Sequence, residues 1–229
     1  MNHEQLKSGR LRLGLTQKQA AALLRVSQPY LSQLEKGQRP ATPEFARLAT
    51  SLYRLPATAL PMPDPPPGTG VADETQLARQ LSGLGYPGFG HLRARKANPA
   101  AVVLEALLQA DLETRLTEAL PWVLLTYPEL DWDWLVRHAK LQDVQNRLGF
   151  VVAMAKSLAG NKVEHERAFQ HLSAVEQQLE RGRLAREDTL CRESMPAAER
   201  RWLEANRSPL ARHWNLLTGL TADQLAYAS

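Results

Sequence analysis

The chain has 229 residues, 44% hydrophobic and 23% charged, with a formal net charge of +4. That is ordinary globular composition, neither disordered nor membrane-like, and the length suits two domains better than one. No apolar run approaches the roughly 20 residues that cross a bilayer, "MNHEQLKSGR" lacks the apolar core of a secretory leader, and the single Cys191 can form neither an internal disulfide nor a metal site alone, so a cytoplasmic protein is expected.

The charge is unevenly placed. Residues 1–60 hold nine Lys or Arg against three acids (Glu4, Glu35 and Glu44), and the remainder holds 19 basic and 21 acidic residues. A polyanion-binding module joined to a near-neutral partner domain has this distribution.

In chain order, Leu6, Arg10 and Leu13 share one face of a first helix. Thr16 and Gln19 form a capping box that opens a second helix, with Ala20, Leu23 and Leu24 facing inward. Val26 fills the turn, Ser27 caps a third helix with Leu31 and Leu34 inward, and Gly37 stops it. Thr42-Pro43-Glu44 supplies the cap, fixed φ and first-turn acid of a fourth helix burying Phe45, Leu48 and Leu52. Short helices with a three- to four-residue turn between the second and third have the helix-turn-helix layout.

In that layout the third helix enters the major groove with its N-terminal residues foremost. A glutamine amide can donate to and accept from adenine N7 and N6 together, and serine can serve either partner. Gln28 and Gln33 are therefore the expected base readers, with Ser32 and Tyr30 beside them. Gln17 and Lys18, at the positive end of the second helix, are placed for phosphate contacts. Ser27, Lys36 and Arg39 join that phosphate set.

The stretch "LKSGRLRLGLTQKQAAALLRVSQPYLSQLEKGQRPATPEFARLATSL" resembles the Cro/C1-type (XRE, phage-repressor) helix-turn-helix family. The matching features are "GLTQ", the small residue in "KQAA", "VSQPYLSQLEKG" and a later P-x-x-x-x-x-L-A. The resemblance implies a lambda-repressor-like domain of a bacterial transcriptional regulator that binds operator DNA, usually as a dimer on an inverted repeat. Arg10 and Glu35 match family positions where an arginine and a glutamate often pair inside the domain, which implies a structural ion pair. Pro29 departs from the pattern but sits in the first helical turn, where a missing donor is tolerated.

Residues 1–55 are thus read as the DNA-binding domain and residues 56–72 as a linker. Six prolines fall between Pro56 and Pro67, a composition that favours an extended, semi-rigid spacer. Residues 73–229 read as a helical domain for dimerisation or partner binding. The stretch "GLGYPGFGHLRARKANP" (residues 83–99) reads as a long loop with a basic patch at residues 91–96. Asn98-Pro99 opens a helix through Leu104, Leu107, Leu108, Leu112, Leu116 and Leu120, ended by Pro121. "PWVLLTY" (residues 121–127) is the one strand-like run. From Asp131 a helix of roughly twenty-eight residues follows, closed by Gly160-Asn161 and punctuated by Arg137, Lys140 and Arg147, which marks it as a dimerisation element. Phe169, Leu172, Val175 and Leu179 make a further helix. The fold class is all-α: a helix-turn-helix domain, a Pro-rich linker and a C-terminal helical bundle.

The second region shows no reactive constellation. "HERAFQH" (residues 165–171) sets its histidines six apart, where a helical zinc motif needs four. Ser194-Met195 is reminiscent of self-cleaving repressors, but no lysine base follows Lys162. No catalytic residue, metal site or cofactor is expected, and an enzyme is disfavoured. The segment "PWVLLTYPELDWDWLVRHAKLQDVQNRLGFVVAMAKSLA" (residues 121–159) is similar to C-terminal regions of regulators encoded beside nucleotidyltransferase-like toxins. Two functions remain open: a dimeric repressor with a small-molecule effector at its C-terminal domain, or an antitoxin that binds a toxin protein and autoregulates its operon.

Overall fold

The computed structural model describes residues 1–68, 73–160 and 165–225. Their contacts separate two compact units, Met1–Asp64 and Pro65–Ser229. The described residues form twelve α-helices and one pair of two-residue strands, so the fold is all-α in all but that detail. Among the described residues, no helix is long and apolar enough to cross a membrane.

The first unit holds α1 (His3–Arg12), α2 (Gln17–Leu23), α3 (Gln28–Glu35) and α4 (Pro43–Leu52). Side chains open all four: Asn2 with Gln5 and Thr16 with Gln19 form capping boxes, while Ser27 and Thr42 accept from Tyr30 N and Phe45 N. Leu6, Ala20, Ala21, Leu24, Leu31, Leu34, Phe45, Ala49 and Tyr53 build one core. Ala21 thus takes the inward place expected of Leu23, which is 52% exposed; Leu48 and Leu13 are also exposed at 40% and 43%, and Leu52 is half-buried. The helices are too short to bury a broader stripe, so the small alanines face inward and allow close helix approach.

The helices of this unit end alike. After α1 the Leu15 N–H reaches back to Arg10 O and the Gly14 N–H to Leu11 O, with Gly14 at φ +66°. The same double bond recurs after α2 (Val26 to Ala21, Arg25 to Ala22) and after α3 (Gln38 to Gln33, Gly37 to Leu34). It satisfies terminal carbonyls while reversing the chain within two residues. Arg25 occupies its left-handed position at φ +55°, where glycine carries no steric cost.

The second unit comprises α5 (Glu74–Leu84), α6 (Pro99–Leu107), α7 (Thr114–Thr126), α8 (Trp132–Leu141), α9 (Gln145–Ala159), α10 (Glu166–Glu180), α11 (Ala197–Asn206) and α12 (Pro209–His213). At its centre is α9, buried at every residue from Gln145 to Ala155 and packed by α7, α8, α10 and α12. Strands β1 (Asp188–Thr189) and β2 (Leu216–Leu217) pair in parallel beside it. Trp214 is wholly buried against α9, and Gly149 makes that approach possible: a Cβ there would stand 2.3 Å from the indole ring.

Several expectations are corrected. The helix read through Leu104 to Leu120 is two, α6 and α7, because the intervening Ala110 O and Leu112 N pair with Glu193 N and Cys191 O. Pro121 lies inside α7, and the strand-like run after it is helical, with Val123 and Leu124 buried. Residues 83–99 are shorter as a loop than read, since α5 extends to Leu84 and a 3-10 turn spans Pro87–Phe89. The helix of twenty-eight residues is also two, α8 and α9, broken at Asp143 (φ +57°) by the same reversal that ends α2. Its closing residue Asn161 lies outside the described residues, as do Lys162 and the last four linker residues, 69–72.

Arg147 is the largest departure from the expected outer stripe. Its side chain is 5% exposed, and Nε and Nη2 donate to the two Asp188 carboxylate oxygens at 2.7 and 2.8 Å. Nη1 donates to Leu107 O and Gln109 O, and Nη2 also reaches Glu193. One guanidinium thereby joins the end of α6, the middle helix and the β1 segment. From Gln145 to Ala155 the stripe expected to face outward along α9 is instead buried within the unit.

Candidate nucleic-acid interface

Helix α3 is held from behind and open in front. Leu31 and Leu34 are sunk in the core at 0% and 2% exposure, and Glu35 at its end is buried at 5%. Gln28 is exposed, Ser32 and Gln33 are partly exposed, and none of the three hydrogen-bonds to another described side chain. Three polar side chains on one fixed helical face, with donors and acceptors unspent, are what base-edge reading requires.

The fixing is done by Arg10 and Glu35. Arg10 Nε donates to Glu35 Oε1 at 2.6 Å and Nη2 to Oε2 at 3.0 Å, a two-pronged pair with 9% and 2% side-chain exposure. Arg10 Nη1 adds a bond to Leu15 O at 2.8 Å, tying in the α1–α2 turn. Burial alone would push the Glu35 carboxyl up; hydrogen bonds from Arg10 and Gln17 outweigh it and hold the group below the usual carboxylate range. The bond to Glu35 likewise raises Arg10 above its ordinary value.

Gln17 carries the tie further: its Nε2 donates to Glu35 Oε2 at 2.9 Å. The first residue of α2 is thereby locked to the last residue of α3, with one amide hydrogen uncommitted. Nothing in the spacing of Gln17 and Glu35 announces this contact, which exists only once the two helices cross. Tyr53 is a second residue that sequence reasoning passed over. It is wholly buried, its hydroxyl has no hydrogen-bond partner among the described residues, and burial pushes its pKa up to about 12. Arg12 then secures the end of α4 by donating to Tyr53 O at 2.5 Å.

The other expected contacts are distributed around this frame. Lys18, Lys36 and Arg39 are exposed and make no ion pair among the described residues. Ser27 spends its acceptor on Tyr30 N at 3.3 Å and retains its hydroxyl proton. Tyr30 is half-buried, its ring edge-on to Phe45 with centroids 6.2 Å apart, so packing on α4 occupies much of it. The remaining residues singled out earlier lie in the second unit and do not converge. His171 Nδ1 sits 3.1 Å from Pro128 O, and Ser194 Oγ donates to Asp111 at 2.7 Å. Among the described residues, no three His, Cys, Asp or Glu side chains gather as a metal site would require.

Four short helices around one core, with a polar helix face fixed outward after a tight turn, define a helix-turn-helix module. Residues 6–60 match the family model for the helix-turn-helix, and this segment is a domain of the Cro/C1 (XRE) type. The protein is accordingly a DNA-binding transcriptional regulator. No curated protein and no solved structure matches the chain.

Proposed function

We propose that this regulator is a repressor that binds an inverted-repeat operator as a dimer, with α3 lying in the major groove of each half-site. The observation that carries the reading is the unspent Gln28, Ser32 and Gln33 face on a helix whose other side is locked by Leu31, Leu34 and the Arg10–Glu35 pair. Gln28 and Gln33 would each form a two-pronged contact with adenine, Ser32 a single bond to a neighbouring base edge, and Tyr30 an apolar edge contact beside its packing role. Gln17, Lys18, Ser27, Lys36 and Arg39 would bind phosphates on either side. A repressor acts by occupancy, which needs only affinity and half-sites about one helical turn apart.

The test is quantitative footprinting on an operator selected from random sequence by the wild-type protein. Gln28→Ala and Gln33→Ala are each expected to cost about 1–3 kcal/mol and to relax specificity at one base pair per half-site. Lys18→Ala should instead weaken binding to every sequence alike and flatten the salt dependence by about one unit of slope. Unchanged selectivity in both glutamine variants would refute the groove assignment.

A further inference from the structure

The basic segment at residues 91–96 is a built feature of the second unit. It is extended and strapped along α5: Arg95 N donates to Arg79 O at 2.8 Å, and Ser82 Oγ donates to Leu92 O at 3.2 Å. The helix is cut away to receive it. A Cβ on Gly83 would stand 2.2 Å from Arg95 O, so any larger residue would displace the strap. Its entry is set by the Pro87–Phe89 turn, where Leu92 N donates to Phe89 O at 2.9 Å and the Tyr86 and Phe89 rings pack at 5.7 Å.

What the strap presents is charge of one sign. From Thr75 to Leu104 there is no Asp or Glu, while Arg79, Arg93, Arg95 and Lys96 all lie on the exposed side of α5 and the strap, with His91 beside them. Arg95 is braced by Gln76 Oε1 at 2.5 Å. The nearest acid in sequence after the strap, Glu105, is engaged by the amides of Gln76 and Gln80 at 3.5 and 3.4 Å. Arg79, Arg93 and Lys96 form no ion pair or hydrogen bond through their side chains among the described residues. A solvated loop would gain nothing from a pinned backbone; a row of cations held in place loses less entropy on meeting a row of anions.

We infer that this strap binds the phosphate backbone of double-helical DNA flanking the operator. The inference rests on the operator-binding reading of the first unit. DNA is favoured over an acidic protein because the tethered first unit already brings the chain to a polyanion, so the second contact forms at the high effective concentration that a short spacer provides. Regularly spaced phosphates also suit an extended strip of Arg and Lys better than a folded acidic surface does.

The test uses full-length protein and two duplexes carrying the same selected operator. One ends at the half-sites; the other extends by about two helical turns (about 20 base pairs) on each side. Binding is followed by anisotropy across a salt series. The triple variant Arg79→Ala/Arg93→Ala/Lys96→Ala is expected to lower the slope of log K against log salt by about two to three units on the long duplex, at about 0.9 per phosphate lost. On the short duplex it should match wild type. Arg79→Lys/Arg93→Lys, which keeps the charge, should retain the full slope and so separates charge from folding. Equal slopes for wild type and triple variant on the long duplex overturn the inference, as does an equal fall on both duplexes. Strap-dependent binding to polyglutamate with no strap dependence on DNA also overturns it and assigns the surface to an acidic protein. Gln28→Ala/Gln33→Ala, run alongside, should lose sequence preference while keeping the flank-dependent slope, so the groove reading and the strap fail separately.

Discussion

Glu35 illustrates how one residue joins fold to site. Its carboxylate is nearly sealed from water, which by itself disfavours charge, yet it accepts from Arg10 twice and from Gln17 once. Removing one partner of such a pair leaves an uncompensated buried charge, at a cost of about 3–5 kcal/mol. For a domain of this size, whose whole stability is of order 3–9 kcal/mol, Arg10→Ala is expected to unfold the first unit or nearly so. The pH dependence follows from the direction of the shift. The Glu35 pKa is lower folded than unfolded, so its stabilisation is fully present above the ordinary carboxylate value of 4.5 and drains away as pH falls through the lower folded value. Circular dichroism melts should therefore show the first unit losing stability below about pH 4.5. Glu35→Gln should be less stable at pH 7 and should lack this acid loss. The first unit contains only three other acids, Glu4, Glu44 and Asp64, all exposed, which makes the comparison clean. A Glu35→Gln melt with the same acid dependence as wild type would disprove the account.

At the scale of elements, α9 behaves differently from the amphipathic helices. Buried all round, it tolerates little change in volume. Gly149→Ala drives a methyl into the Trp214 ring and should cost about 1–3 kcal/mol of second-unit stability. Adding Trp214→Leu should cost less than the sum of the two single changes, because the clash and its partner vanish together. Additive losses in denaturant titrations would show that the ring does not constrain the glycine. The same helix marks the limit of what sequence can disclose. Caps are local and were legible: Thr16, Ser27, Thr42, Asn98 and Asp131 each open the helix expected of them. The break at Asp143 was not, because a left-handed aspartate reads as one more polar residue in phase with its neighbours. Val144 two residues past the α8 cap was the available signal, the apolar follower that also appears as Leu15 and Val26. Arg147 could not be placed from its own surroundings, since Asp188 and Glu193 lie some forty residues away and only the fold brings them near. The outward polar face of α3 was legible for the opposite reason: Gln28, Ser32 and Gln33 are defined by what they do not touch among the described side chains.

The whole molecule is two cores joined through a proline-rich segment, and the two should melt as separate cooperative units. The first, Met1–Asp64, is small, with a core cluster of nine residues and the buried Arg10–Glu35 pair; the second, Pro65–Ser229, encloses α9 and buries far more apolar surface. Scanning calorimetry of the full chain is expected to resolve two transitions, and a mutation such as Leu31→Ala should destabilise the earlier one by about 2–5 kcal/mol, as is typical of a cavity, without moving the later one. Operator DNA should do the reverse to the same transition. A ligand at 100 times its Kd adds about 2.7 kcal/mol, and for a domain of this size each kcal/mol is worth about 4–8 °C. A short operator duplex at that excess should thus raise the first transition by about 10–20 °C and leave the second in place. The flanked duplex should raise the second as well, by an increment that disappears in Arg79→Ala/Arg93→Ala/Lys96→Ala. A single transition that moves as one under every one of these perturbations would mean that the units are energetically fused, and that the proline-rich segment does not act as a spacer between independent domains.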